Sequence, residues 1–169
     1  MMIRKAVTGD LIVIQDMIAQ TVEVMHEEGS DQWNASYPTI LHFEQDMEHQ
    51  SLYVKEAEQG VIACITIDQK LAPSYLGIPW SEPDAPAATF HRLAVSPYAR
   101  QGGLAKELIH FAESVAFAQG IRWMRIDTYS LNHKAQALFT RLGYVKRGEL
   151  VYPDKSKPFY FYEKEVVGL

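Results

Sequence analysis

The hydrophobic period of the chain changes twice between Thr89 and Tyr129, and this stretch restricts the fold more than any other. Thr89 to Val95 reads as a strand, and Ser96 to Gly103 as a turn. Leu104, Leu108, Phe111, Val115 and Ala118 then recur at helical spacing, and Gly120 closes that helix. Trp123 to Tyr129 reads as a second strand. A strand, a helix and a strand of these lengths form a βαβ unit. Its strands lie parallel and its crossover is right-handed. A chain with that unit at its centre builds an α/β layer around it.

The flanks supply the rest of the layer. Thr8 has the chemistry of a helix N-cap, and Leu11, Ile14, Ile18, Val22 and Met25 follow at helical spacing up to Gly29. Ile40, Phe43 and Met47 predict a shorter helix. Leu52 to Ala57 and Val61 to Ile67 are strand-like, with Glu58-Gln59-Gly60 as a hairpin turn between them. Pro73, Pro79, Pro83 and Pro86 exclude a regular element between Leu71 and Ala88, which predicts a surface loop or flap. Asn132 caps a further helix carrying Ala135, Leu138 and Leu142, with Gly143 as its stop. Strands around Tyr144–Val151 and Phe159–Val166 finish the chain. The expectation is one domain over residues 1–169, an α/β fold whose mixed, mostly antiparallel sheet holds one parallel crossover. The length of 169 residues suits a single domain.

Composition closes off several classes of function. Lys and Arg number 16 against 21 Asp and Glu, a net charge of −5, which disfavours wide contact with a phosphate backbone. No nucleic-acid partner is expected. The single cysteine, Cys64, allows neither a disulfide framework nor a four-cysteine zinc site. It lies in an apolar strand and is expected to be a buried thiol. The histidines have no H-E-x-x-H spacing, so no metal site is expected. No Gly-x-Ser-x-Gly elbow is present. No apolar run approaches the ~20 residues that span a bilayer, and the start of the chain lacks a signal-peptide core. A soluble, cytoplasmic protein without a membrane partner is expected.

The sharpest chemical feature is Arg100-Gln101-Gly102-Gly103-Leu104-Ala105, set between strand and helix. Paired glycines let a ligand approach the backbone closely. The helix start that follows presents N–H groups without intrahelical partners and a partial positive charge. Together these suit a pyrophosphate or a similar anion. The order of residues is neither a P-loop nor a dinucleotide fingerprint.

Arg100-x-x-Gly103-x-Ala105, following Leu93-Ala94-Val95-Ser96-Pro97, resembles the acetyl-CoA-binding motif of the GNAT acyltransferase superfamily. Asn132-x-x-Ala135-x-x-Leu138-Phe139-x-x-Leu142-Gly143-Tyr144 resembles the second stretch of that family. Asp31-Gln32-Trp33 with Tyr37-Pro38 is similar to a segment of some bacterial members. The resemblance implies the GNAT fold, with helices on both faces of the sheet, and acetyl-CoA as co-substrate without a metal. It implies that backbone amides around Gln101, Gly102, Gly103, Leu104 and Ala105, with Arg100, hold the CoA pyrophosphate. It implies that Leu93, Ala94 and Val95 lie along the pantetheine arm, which Asn132 and the Ala135 stretch reach as well. An amide of this strand would polarise the thioester carbonyl.

The implied reaction is direct attack of a primary amine on the thioester, which needs an acceptor for the proton of the ammonium. His91 falls where many family members carry an acidic residue. Two-residue periodicity places it on one face with Leu93 and Val95, and an ordinary imidazole titrates near 6.5. Asp127 is a second candidate, or else pairs with Arg125 or Arg92. Many members carry a tyrosine at the position of Phe139 to protonate the departing thiolate. Phenylalanine cannot, so Tyr129, Tyr144 or solvent is left for that role. Asp31, Trp33 and Tyr37 are candidates to line the acceptor, a small-molecule or peptide amine, though Trp33 also suits the core. The alternative is a non-catalytic acyl-CoA-binding sensor. The oligomeric state is open, a homodimer included.

Overall fold

The order of elements is β1 (Met2–Lys5), α1 (Leu11–Glu27), α2 (Ile40–Glu48), β2 (Leu52–Ala57), β3 (Gly60–Asp68), β4 (Ala87–Val95), α3 (Leu104–Ala118), β5 (Trp123–Tyr129), α4 (His133–Arg141), β6 (Val145–Leu150) and β7 (Phe159–Glu165). They come from a computed structural model that describes residues 2–99 and 102–168. The strands follow one another in the sheet as β1-β2-β3-β4-β5-β7-β6. β4 and β5 run parallel, Ala87 beside Trp123 and Ala88 beside Met124. The β1–β2, β2–β3, β5–β7 and β6–β7 pairs are antiparallel. This is the mixed, mostly antiparallel sheet with one parallel crossover that the βαβ pattern predicts. Among the described residues no helix is long and apolar enough to cross a membrane.

Two compact units make up the chain, Met1–Ile67 with His91–Ile109, and Asp68–Phe90 with His110–Leu169. In the first unit, Leu11, Ile14, Met17 and Ile18 of α1 and Phe43 of α2 pack with Leu52, Val54, Cys64 and Ala94. Val54 faces these helices. Lys55, next along the strand, points the other way and pairs with Glu107 of α3. α1 and α2 therefore cover one face of the sheet and α3 the other. The unbroken burial of Ile62 to Ile67 in β3 follows from cover on both faces. Cys64 is a buried thiol, as expected, and burial pushes its pKa up to about 12.

In the second unit the proline-rich segment is the expected loop, and three of its side chains are buried. Pro73–Gly77 forms a short 3-10 turn, and Tyr75, Ile78 and Trp80 bury themselves against Phe161 of β7. The Tyr75 and Phe161 rings meet edge-on at 5.0 Å, and the Trp80 indole donates to the Tyr75 carbonyl at 2.8 Å. Ser81 donates from backbone and hydroxyl to Glu163, which Arg147 also grips at 2.6 Å. Prolines fix φ and remove donors, but the aromatic residues between them decide where the segment lies.

Three further differences are local. β1 was not foreseen, because a four-residue edge strand carries too short a pattern to read. Thr8 lies inside a 3-10 turn rather than capping it, and the Asp10 carboxylate accepts from the Val7 N–H at 2.8 Å instead. On α3 the core face is Leu104, Leu108, Ile109, Ala112 and Ala116. Phe111 and Val115 are half-buried and Ala118 is exposed.

Candidate functional site

β4 ends at Val95 and α3 begins at Leu104, so residues 96–101 separate Leu93–Val95 from Gly102–Ala105 along the chain. Arg100 and Gln101, two of the expected pyrophosphate contacts, lie outside the described residues. Gly102 and Gly103 are exposed, and a Cβ built on either would meet no atom within 4 Å. Gly103 has φ +97°, a conformation that L side chains rarely adopt. Glu107 N–H donates to the Gly103 carbonyl at 2.9 Å. Among the described residues the helical ladder begins there, and the first turn of a helix leaves its N–H groups without an intrahelical carbonyl. Leu104 is buried with Ile62, Ala99 and Val95 and fixes the helix start to the strand. Glu107, an acidic residue in this first turn, is drawn to Lys55. The result is an open stretch of backbone donors at the positive end of a 15-residue helix, suited to a phosphate or another anion.

Upstream along β4, Ala94 is buried in the core, while His91, Arg92, Leu93 and Val95 are half-buried. Arg92 has φ +49°, left-handed in mid-strand. The two-residue alternation that would put His91 on one face with Leu93 and Val95 is broken at that point. Arg92 donates from Nε and Nη2 to the two oxygens of Asp46, each at 2.6 Å. Thr66 donates to Asp46 Oδ2 at 2.7 Å. Burial works against the Arg92 charge, but the bonds to Asp46 and Tyr37 outweigh it and hold its pKa above the ordinary value. Arg92 therefore pairs with Asp46, not with Asp127, which accepts from the Tyr75 hydroxyl at 2.5 Å. Sequence reading passed over Asp46. Its signal was an acidic residue one turn after Phe43 on the buried side of a helix, where it needs a charged partner.

Segment 31–38 is only partly what the sequence suggested. Trp33 is 6% exposed and belongs to the core with Ile14 and Phe43, which removes it from the acceptor candidates. Asp31 is exposed. Tyr37 is 37% exposed, and its hydroxyl accepts from Arg92 Nη1 at 3.0 Å. Its ring meets His42 edge-on at 4.9 Å. His42 Nδ1 accepts from the Thr39 N–H at 2.9 Å and so caps α2. Burial and the charge of Arg92 lower the pKa of that imidazole. Beside this segment, Ile18, Val22, Phe43, Pro38, His26 and Asn34 line a cavity of about 440 Å³.

The second unit holds Tyr129 and Tyr144. Tyr129 is fully buried, with its hydroxyl accepting from Lys157 N–H at 3.2 Å and 3.3 Å from Ser156 Oγ. Tyr144 is buried and donates to Glu113 Oε1 at 2.9 Å. Burial and the Glu113 charge hold its pKa well above the phenol value. Lys164 donates to the same carboxylate oxygen at 2.9 Å. Phe139 is buried among Phe90, Tyr144 and Tyr162, with ring centroids 5.6 to 6.0 Å away. Asn132 Oδ1 accepts from Ala135 N–H at 3.1 Å and caps α4 as expected. Among the described residues no three His, Cys, Asp or Glu side chains group as metal ligands.

A model of the acetyltransferase (GNAT) family matches residues 18–144, well over half of the chain. A solved structure of a Staphylococcus aureus protein, described as a candidate acetyltransferase, is 31% identical; 99% of this chain and 100% of that one align with a TM-score of 0.75. A GNAT-family acetyltransferase of Streptococcus agalactiae is 22% identical, with 97% and 94% covered and a TM-score of 0.84. A Salmonella typhimurium protein solved with its cofactor acetyl-CoA is 16% identical, with 100% and 95% covered and a TM-score of 0.71. At those identities the last two bear on the fold alone. No protein of curated function matches the chain.

Proposed function

The chain belongs to the acetyltransferase (GNAT) family, and from that premise we propose that it moves the acetyl group of acetyl-CoA to a primary amine. The observation that carries this reading is the open glycine turn, which leads from β4 straight into the N-terminus of α3. Acetyl-CoA fits there by chemistry, because its pyrophosphate needs backbone donors and local positive potential. Gly102, Gly103 and the amides of Leu104 and Ala105 are the binding residues, joined by Arg100 and Gln101. Leu93, Ala94 and Val95 bind the pantetheine arm through their backbone, and Asn132 and Ala135 reach the same arm. Strand β4 and helix α3 each run through both compact units, which supports reading residues 1–169 as one transferase domain.

Acetyl-CoA supplies an acyl group already activated as a thioester. The residues of the chain then have three tasks. The Leu93 amide donates to the thioester carbonyl and stabilises charge that develops on its oxygen. His91 accepts the proton that the ammonium gives up before attack. A proton returns to the departing sulfur from Tyr129, from Tyr144 or from solvent. A carboxylate that accepts from Tyr144 opposes proton release by that hydroxyl, which favours Tyr129 or solvent. Asp31 attracts the ammonium of the acceptor, and Tyr37 borders it.

A panel of polyamines, amino acids, peptides and aminoglycosides, mixed with acetyl-CoA and followed by release of thiol, tests the reading. Thiol release with acetylated amine supports it. Acetyl-CoA binding without release on any amine favours the sensor instead, a reading that Phe139 keeps in play by offering no hydroxyl beside the ring of Tyr144.

A further inference from the structure

Among the described residues, Gln50 and Arg92 alone have positive φ without being glycine. Gln50 follows the end of α2, where left-handed residues are common. Arg92 sits inside a strand, where nothing about chain reversal calls for that conformation. For an L residue it is unfavourable, because Cβ approaches the following carbonyl oxygen. Something in the surroundings has to hold it.

The holding contact is an ion pair with α2. Both oxygens of Asp46 take the Arg92 fork at 2.6 Å, with side-chain exposures of 11% for Arg92 and 9% for Asp46. Asp46 is itself fixed by the Thr66 hydroxyl at 2.7 Å, and it stands on α2 one turn after the buried Phe43. A third guanidinium nitrogen donates to Tyr37 at 3.0 Å. The fork is planar and directional, so it fixes the Arg92 side chain in space and not merely its charge. A buried ion pair is weak evidence of stabilisation in its own right. At this position it has a second use, because the residue it grips is the one at which the strand departs from regular geometry.

We propose that Asp46 is a positioning residue for acyl transfer: by gripping Arg92 it keeps that residue left-handed and so sets the direction of the adjoining Leu93 amide. The proposal rests on the acyl-transfer reading above, in which that amide meets the thioester carbonyl. Neither Asp46 nor Arg92 touches a reacting atom.

Two double variants isolate the backbone. Asp46→Asn with Arg92→Ala, and Asp46→Asn with Arg92→Gly, both remove the ion pair and both leave an oxygen at residue 46 for Thr66. They differ by a single Cβ at the left-handed residue. Turnover of acetyl-CoA with the best amine is measured well below the melting temperature of each. The glycine variant is expected to keep a kcat close to that of the unmodified protein. The alanine variant should lose on the order of tenfold in kcat, with a smaller change in the KM for acetyl-CoA. Rescue by glycine is an outcome that a purely stabilising ion pair would not produce. Equal kcat in the two variants overturns the proposal.

Where the alanine variant does not fold, Arg92→Lys replaces it, keeping the charge and losing the fork. Full turnover in Arg92→Lys overturns the proposal as well. Should the unmodified protein acetylate no amine, the acyl-transfer reading has failed and not the grip. Crystal structures of the two double variants then decide: residue 92 should stay left-handed with glycine and return to negative φ with alanine. A left-handed residue 92 in the alanine variant refutes the grip.

Discussion

His91 and Leu93 stand on either side of a left-handed residue, so strand periodicity does not relate their directions. The proposed role of His91 as base therefore rests on its chemistry and its place on β4. Replacing it with alanine should lower kcat/KM on the order of 10²-fold. Stopped assays check this, and an unaltered kcat/KM in the variant returns His91 to a packing role. His42 makes a different expectation. Its folded pKa lies below the ordinary imidazole value near 6.5, from burial first and the charge of Arg92 second. The unfolded chain thus binds a proton there that the folded chain resists. That contribution is fully present above the unfolded pKa and is lost as pH falls toward the folded one. Urea unfolding should show stability declining below about pH 6.5. His42→Gln, whose amide oxygen can accept from Thr39, should flatten that part of the curve. An identical decline in the variant would place the effect elsewhere.

At the scale of elements, the turn before α3 separates two uses of glycine. Gly102 has open space around it and no left-handed φ, so a side chain there is compatible with the fold. Gly103 has φ +97°, so a β-branched residue there strains the backbone whatever the space. Gly102→Val should leave the melting temperature unchanged and weaken acetyl-CoA binding by crowding the ligand out. Gly103→Val should lower both. Calorimetry and thermal unfolding of the pair separate these effects, and full acetyl-CoA affinity in a folded Gly102→Val protein would remove this turn from the site. The proline-rich segment teaches a related lesson. Its prolines correctly excluded a long helix or strand, yet Tyr75 and Trp80 bury it against β7. Turn residues describe the path of a backbone, and large aromatic residues decide whether it is covered.

For the whole molecule, a ligand that binds only the folded chain must stabilise it. Acetyl-CoA at a hundred times its Kd should add about 2.7 kcal/mol of stability. Scanning calorimetry with acetyl-CoA and with adenosine, which lacks the pyrophosphate, as control reads the shift, and a melting temperature insensitive to millimolar acetyl-CoA would count against the binding assignment. Local pattern in the sequence determined the βαβ unit, the boundaries of β5, the glycine turn and the cap at Asn132, because each depends on residues within a few positions of one another. Family motifs lie in those same stretches, which is why membership was legible before any coordinate. Tertiary structure alone decided the rest. Trp33 fits a ligand wall and a core equally well until Ile14 and Phe43 are seen beside it. Tyr144 looks like an acid until Glu113, 31 residues away along the chain, accepts its hydrogen bond. Arg92 pairs with Asp46, 46 residues upstream, and Thr66 between them donates to the same carboxylate. Short-range periodicity carries no information about such partners, since burial and hydrogen bonding are settled by which distant side chains the fold brings within about 3 Å.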